Sequence, residues 1–168
     1  MLQLESAEAG HIALARLERS DGELLLRLFY RLSRETIYRR FLSPLARPEQ
    51  ARPERLLDLD HRDREAVAAV VDGEIVGVAR YFRWPGLTAA EIAVVVADDW
   101  QHQGLGTRML ARLAELARTA GIEHFTVTMQ ADNRPALGLL RRFNSSARLA
   151  HSQGIYESVI PLGSEADQ

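Results

Sequence analysis

From Val94 to Leu110 the chain reads Val-Val-Val-Ala-Asp-Asp-Trp-Gln-His-Gln-Gly-Leu-Gly-Thr-Arg-Met-Leu. The β-branched apolar run predicts a buried strand and Asp98 to Gln101 a turn, while Leu105, Met109, Leu113, Leu116 and Ala120 recur at helical spacing. The order is strand, glycine-bearing loop, helix. Gly104 and Gly106 lack Cβ, so their peptides are free to adopt positive φ and to let an anion reach the backbone where the first N–H groups of the helix point outward. That combination predicts an anion site, most simply a phosphate site. A dinucleotide-binding fingerprint would need glycine where Met109 stands, and the Gly-Lys-Ser/Thr ending of a P-loop is absent.

Composition narrows the setting. A chain of 168 residues is expected to form one domain and to bury about 70% of its unfolded surface. With no cysteine, disulfides, thiolate–metal sites and a covalent cysteine mechanism are excluded together. His11, His61, His102, His124 and His151 show no ligand spacing, so no metal is predicted. No apolar run approaches the length of a membrane span, and the first residues lack the pattern of a signal peptide; the expectation is a cytosolic protein without a membrane role. A net charge of −2 with dispersed arginines gives no case for nucleic acid.

In chain order, His11 to Leu17 predicts a first strand, and Ser20 with Glu23 has capping-box spacing ahead of a helix through Leu24, Leu25, Leu28 and Leu32. Ser33 caps a second short helix that stops near Pro44, and Glu54 to Leu59 forms a third after a link through Pro48 and Pro53. Asp58, Asp60, Asp63 and Glu65 crowd the next loop. Asp63 occupies the position where a calcium loop needs glycine, which leaves a solvated charge run or an acidic approach for a cationic substrate. Ala66–Val71 and Ile75–Phe82 are strands joined by a type I′ hairpin at Asp72-Gly73, and Thr88–Val96 is the strand that enters the glycine loop. A helix to Ala120 with Gly121 as its C-cap, a strand from His124 to Met129, a helix from Asp132 or Asn133 and a closing strand Ile155–Ile160 complete the order βααα-βββ-α-β-α-β.

Gln101, Gly104 and Gly106 fill the pattern Gln/Arg-x-x-Gly-x-Gly/Ala, which resembles the acetyl-CoA pyrophosphate loop of the GNAT superfamily of N-acetyltransferases. The element order resembles that superfamily from residue 11 to residue 162, with 163–168 a polar tail. The resemblance implies an α/β fold with a mixed, mostly antiparallel central sheet of six to seven strands and helices on both faces. The strings Phe29 to Pro44 and Asp60-His61-Arg62-Asp63-Arg64-Glu65-Ala66 look like the catalytic domain of bacterial Pat-type protein lysine acetyltransferases. All 21 basic residues are arginine, the composition of a GC-rich genome and also of an enzyme with no lysine of its own to acetylate.

The resemblance further implies acetyl-CoA as co-substrate. Its pantetheine arm would lie along Val94, Val95 and Val96, and its pyrophosphate on the loop Gln101, His102, Gln103, Gly104, Leu105, Gly106 and Thr107. Family loops carry a basic residue where Gln103 stands, and Asp98 and Asp99 would repel a phosphate unless turned away. Asn133 and Ala136 match the superfamily's Asn-x-x-Ala, and Asn133 also suits a plain helix N-cap. Acyl transfer to a lysine, mostly protonated near neutral pH, benefits from a base. Glu91 interrupts the run Ala89 to Val94 and matches the strand glutamate of histone-type and Pat-type members. Facing inward, its carboxyl would be raised by desolvation. Leu140 occupies the position of the tyrosine that serves as general acid in many superfamily members, and Asn144-Ser145 that of its Gly-Phe pair; Tyr81 and Tyr156 are the substitutes to test. The expected function is transfer of acetyl to a primary amine such as a protein lysine, by a monomer or homodimer. The alternatives are a small amine such as an aminoglycoside or polyamine, and an acyl-CoA sensor without catalysis.

Overall fold

The computed structural model describes residues 2–4, 11–41 and 52–163. The predicted stop near Pro44, the link at Pro48 and the tail from residue 164 lie outside the described residues. Eight strands run β1 Gln3–Leu4, β2 Ala13–Arg16, β3 Arg64–Val71, β4 Glu74–Phe82, β5 Ala89–Val96, β6 His124–Gln130, β7 Ala150–Ser152 and β8 Ile155–Pro161. The helices are α1 Gly22–Tyr30, α2 Arg34–Phe41, α3 Pro53–Leu56, α4 Leu105–Thr119 and α5 Arg134–Phe143. The sheet has the order β1-β2-β3-β4-β5-β6-β8-β7, and every adjacent pair is antiparallel except β5 and β6. The expected mixed, mostly antiparallel sheet is thus present. The strands beyond the expected six to seven include β1 and β7, edge pieces of two and three residues that are too short to show a period.

Two apolar layers sandwich the sheet. Met109, Leu113, Phe125 and Leu140 pack with α4 and α5 on one face, while Leu25, Leu28, Ile37 and Val95 pack with α1 and α2 on the other. Burying a side chain of this size contributes about 1.5–3 kcal/mol, so the two layers hold α2 and α4 on opposite faces of β5. Local signals end the elements where expected. Asp72 and Gly73 both have positive φ, 50° and 79°, as the type I′ hairpin requires. Gly121, at φ 78°, follows the end of α4, and Ile122 N–H reaches back to the Ala117 carbonyl at 2.9 Å. The first cap differs from expectation: the reciprocal box is Glu18 with Asp21 around a 3-10 turn, two residues ahead of Ser20 and Glu23.

The acidic run turns inward to serve structure. Asp60 accepts the backbone N–H groups of Arg62, Asp63 and Arg64, and these bonds, opposing its partial burial, hold its carboxyl below the usual range. Asp58 pairs with Arg19 and Arg64, and Asp63 with Arg83 at 2.7 Å. Fully buried Glu65 takes Arg16 and the His61 Nδ1, and His61 Nε2 lies 3.1 Å from Glu18. Burial alone would lower His61, but the two glutamates outweigh it and raise its pKa. The run is neither calcium loop nor substrate approach, because its carboxylates are consumed in closing the loop onto the sheet.

Gly77 marks a tight crossing of sheet and helix. It follows a bulge at Ala69/Val70, and a Cβ there would lie 2.9 Å from Met109 Cε and 3.2 Å from the Val95 carbonyl oxygen. In a strand, replacing glycine with alanine ordinarily gains about 0.5–1 kcal/mol. Here Met109 is fully buried and the backbone of β5 does not yield, so Gly77→Ala is expected to lose about 1–3 kcal/mol in urea unfolding. Unchanged or increased stability would contradict this packing account.

Candidate active site

β5 and β6 are paired only at Ala89–His124, Ala90–Phe125 and Glu91–Thr126. Beyond Glu91 the strands part, β5 continuing to Val96 and β6 to Gln130, with a cavity of about 460 Å³ between them. On its other side β5 stays bonded to β4 from Gly77–Val96 to Phe82–Glu91, so the edge of β5 toward the cavity carries backbone groups that β6 does not pair. Such an edge can accept an extended, amide-bearing ligand as an added strand.

Of the residues predicted for the site, Glu91, Val94, Val95, Val96, Gln101, His102, Gly104, Leu105, Gly106, Thr107 and Asn133 line this one cavity. Gln103 does not. It is exposed, and its side-chain amide turns back to the Asp99 carbonyl at 3.1 Å. The Val95 side chain belongs to the core beneath α1, which leaves its backbone as the group available to a ligand.

The glycines divide their work differently from the sequence expectation. Gly104 caps α4 at φ 79°, and a Cβ there would meet open space. Gly106 is helical; a Cβ would lie 2.9 Å from the Leu139 methyls, so its missing side chain lets α5 close on α4 and does not serve positive φ. The first N–H groups of α4 have no partner within the helix and open beside Gly104. Thr107 Oγ1, on the same turn, is buried with no hydrogen-bond partner. A buried hydroxyl left unpaired is costly, and here it lines a cavity whose backbone already favours an anion. These residues therefore fit a phosphate-bearing ligand.

Two clamps fix the loop. Gln101 Nε2 donates to the Val96 carbonyl at 3.0 Å and to Thr36 Oγ1 at 3.3 Å, so the side chain ties the strand end to α2. Asp98 turns away from the cavity and accepts the Ser33 N–H at 2.9 Å, Ser33 Oγ at 2.7 Å and Thr36 Oγ1 at 2.8 Å. Partial burial opposes ionisation of Asp98, but these bonds prevail and lower its pKa. The feared repulsion between Asp98 and a phosphate is thus removed by the N-terminus of α2. Asn133 caps α5, its Oδ1 accepting the Ala136 N–H at 3.2 Å, and lines the cavity as well.

Glu91 is exposed on β5, so the condition set for desolvation, an inward-facing side chain, is not met; it lines the cavity where the strands begin to part. Arg39 and Arg40 of α2 stand on the same wall, a feature that sequence reasoning missed because helical spacing alone did not say which strand residue α2 would face. Neither substitute tyrosine lines the cavity. Tyr81 is buried, donates to the Arg62 carbonyl at 3.0 Å and has its pKa raised by that burial, and Tyr156 packs against the His151 ring. Leu140 is core.

The profile of the Acetyltransferase (GNAT) family matches residues 29–144. Acetyltransferase PA5475 of Pseudomonas aeruginosa is 32% identical over 136 residues, covering 78% of this chain and 73% of that protein. Acetyltransferase Pat of Mycolicibacterium smegmatis is 30% identical over 116 residues, 67% of this chain but 34% of its own length. The crystal structure of the GNAT domain of S. lividans PAT superposes with a TM-score of 0.82 at 23% identity, covering 89% of this chain and 90% of that one.

Removing the Asp98 clamp should register in stability. Asp98→Ala is expected to cost about 1 kcal/mol at pH 7, the usual worth of satisfying a helix N-terminus. Because the folded-state pKa is the lower one, the stabilisation is complete above the unfolded value of 3.8 and fades as pH falls through the folded value. Urea titrations at pH 7 and pH 3 should therefore show the gap between wild type and variant closing on acidification.

Proposed function

The chain belongs to the acetyltransferase (GNAT) family and is an acetyl-CoA-dependent N-acetyltransferase; we propose that its acceptor is a primary amine, a protein lysine in the first instance, presented to Glu91 at the fork of β5 and β6. The carrying observation is the convergence in one cavity of an unpaired strand edge, an open helix N-terminus with an orphaned hydroxyl, and a carboxylate. The lysine reading leans on the strings shared with Pat-type proteins and on the Pat relative. No described helix is long and apolar enough to cross a membrane, and a cytosolic monomer or homodimer completes the reading.

Acetyl-CoA supplies the activated acetyl group. The first turn of α4, with Thr107 Oγ1, receives the phosphates, and the edge from Val94 to Val96 receives the pantetheine amides. Asn133, whose oxygen is spent on the helix cap, has its amide nitrogen to offer. Glu91 takes the proton from the attacking amine, directly or through one water. With Leu140 in the core, no acid is needed at that position if the thiol departs as thiolate, its ordinary pKa being near 8.5.

Two tests address cofactor site and base. At Gly104 both Asn and Asp tolerate the left-handed backbone, so Gly104→Asn and Gly104→Asp differ chiefly in charge. Calorimetry should find acetyl-CoA bound at least about tenfold more weakly by the Asp variant than by the Asn variant; equal affinities would remove the phosphates from this loop. Glu91→Gln should lower kcat about a hundredfold with the affinity for acetyl-CoA nearly unchanged. Undiminished turnover would take Glu91 out of the mechanism.

A further inference from the structure

Acetyl-CoA is a polyanion, and the loop beside Gly104 is short of positive charge. A helix end supplies about half an elementary charge, whereas a phosphate monoester such as the 3′-phosphate of CoA carries about −1.5 to −2 at neutral pH. Gln103 brings no charge, and its amide is turned to the Asp99 carbonyl. Among the described residues, three arginines line the cavity: Arg39, Arg40 and Arg142. The first two come from α2, across the sheet from α4, and Arg39 is paired with Glu35 at 2.7 Å.

Arg142 is placed differently. It lies on α5, which packs with α4 on the other face of the sheet. Pro135, Leu139 and Arg142 follow one another at helical spacing, so they form one stripe, and all three line the cavity. Arg134 and Arg141, off that stripe, do not line it. The Leu139 methyls cover Gly106, where a Cβ would lie 2.9 Å from them, so α5 touches the first turn of α4 at this point. Arg142 stands one turn further along, about 5 Å of helix axis. Its guanidinium lies back over Gly138, where a Cβ would be 3.4 Å from Nη1, so the charge stays near the level of Leu139. Among the described residues no carboxylate pairs with Arg142 and no hydrogen bond engages it.

We infer that Arg142 is the specificity residue for the 3′-phosphate of acetyl-CoA. The inference rests on the acetyl-CoA reading of the cavity and adds a group that the loop itself does not contain. In CoA a ribose separates the pyrophosphate from the 3′-phosphate. With the pyrophosphate on the first turn of α4, Leu139 is the apolar spacer beside which the ribose passes, and Arg142 is the cation beyond it. A guanidinium presents paired donors in the plane that a phosphate's oxygens accept. Because Arg142 is exposed and unpaired, the contact breaks no bond within the protein. The positive charge missing at Gln103 is thus supplied from another helix, and it falls on the monoester, the most highly charged single phosphate of the ligand.

The test is calorimetry of the intact protein with acetyl-CoA and with acetyl-3′-dephospho-CoA, at one fixed ionic strength because salt screens exposed charges. The wild-type protein should bind acetyl-CoA about tenfold or more tightly than the dephospho ligand, the effect of one charged hydrogen bond. Arg142→Gln should bring that ratio close to one by weakening acetyl-CoA alone, and Arg142→Lys should keep part of it. A variant that had lost its fold would lose both ligands, so retained affinity for the dephospho ligand serves as the internal control. Equal affinities of the wild-type protein for the two ligands overturn the inference. So does an equal loss of both ligands on Arg142→Gln, which moves the arginine to the pyrophosphate. The two failures are distinguishable: a wild-type protein that binds both ligands equally leaves the acetyl-CoA site standing, and one that binds neither removes that reading as well.

Discussion

Everything in the site depends on β5 and β6 ceasing to pair after Glu91. A parallel pair needs a crossover between its strands, and the crossover here is α4, whose N-terminus is thereby delivered to the end of β5. If the strands stayed paired to Val96, the edge would be saturated and the helix terminus would face a closed sheet. Their divergence produces an unpaired edge, an electropositive helix end and a cavity that both share. The flanking pairs, β4–β5 over six residue pairs and β6–β8 over seven, hold each arm of the fork from outside, so the opening does not require the sheet to come apart.

The loop between β5 and α4 is held by polar groups that sequence alone presents as liabilities. Asp98 looks like a repulsive neighbour for a phosphate, and Gln101 like a phosphate contact. Folded, Asp98 bonds the N-terminus of α2, and Gln101 bridges the Val96 carbonyl and Thr36. Both therefore link α2 to the strand end. The same helix that fixes the loop also carries Arg39 and Arg40 to the cavity wall, so loop and cavity share one support. A displacement of α2 would be felt at both.

Local chemistry made much of this readable in advance. The Val94–Val96 run, the positive φ of Gly104, the Asp72-Gly73 hairpin and the Asn133 cap are short-range features, and each holds in the fold. Relations between distant segments were not readable. Gly106 is glycine because Leu139 needs the space, a contact across 33 positions that no window includes. The acidic run from Asp58 to Glu65 resembled a substrate approach only while its arginine partners, Arg16, Arg19 and Arg83, lay elsewhere in the chain. Glu91 was placed on the right strand, but its exposure depended on where β6 stops pairing, and a strand's own period does not contain that information.

That exposure changes how the base has to work. Exposed to solvent, Glu91 depends on the groups that share its cavity. In the proposed site the neighbouring guanidiniums compensate from the other side of the reaction. Arg39 and Arg40 line the cavity with Glu91, and nearby positive charge disfavours the ammonium form of a bound amine. An amine bound there is easier to deprotonate, so less is asked of Glu91.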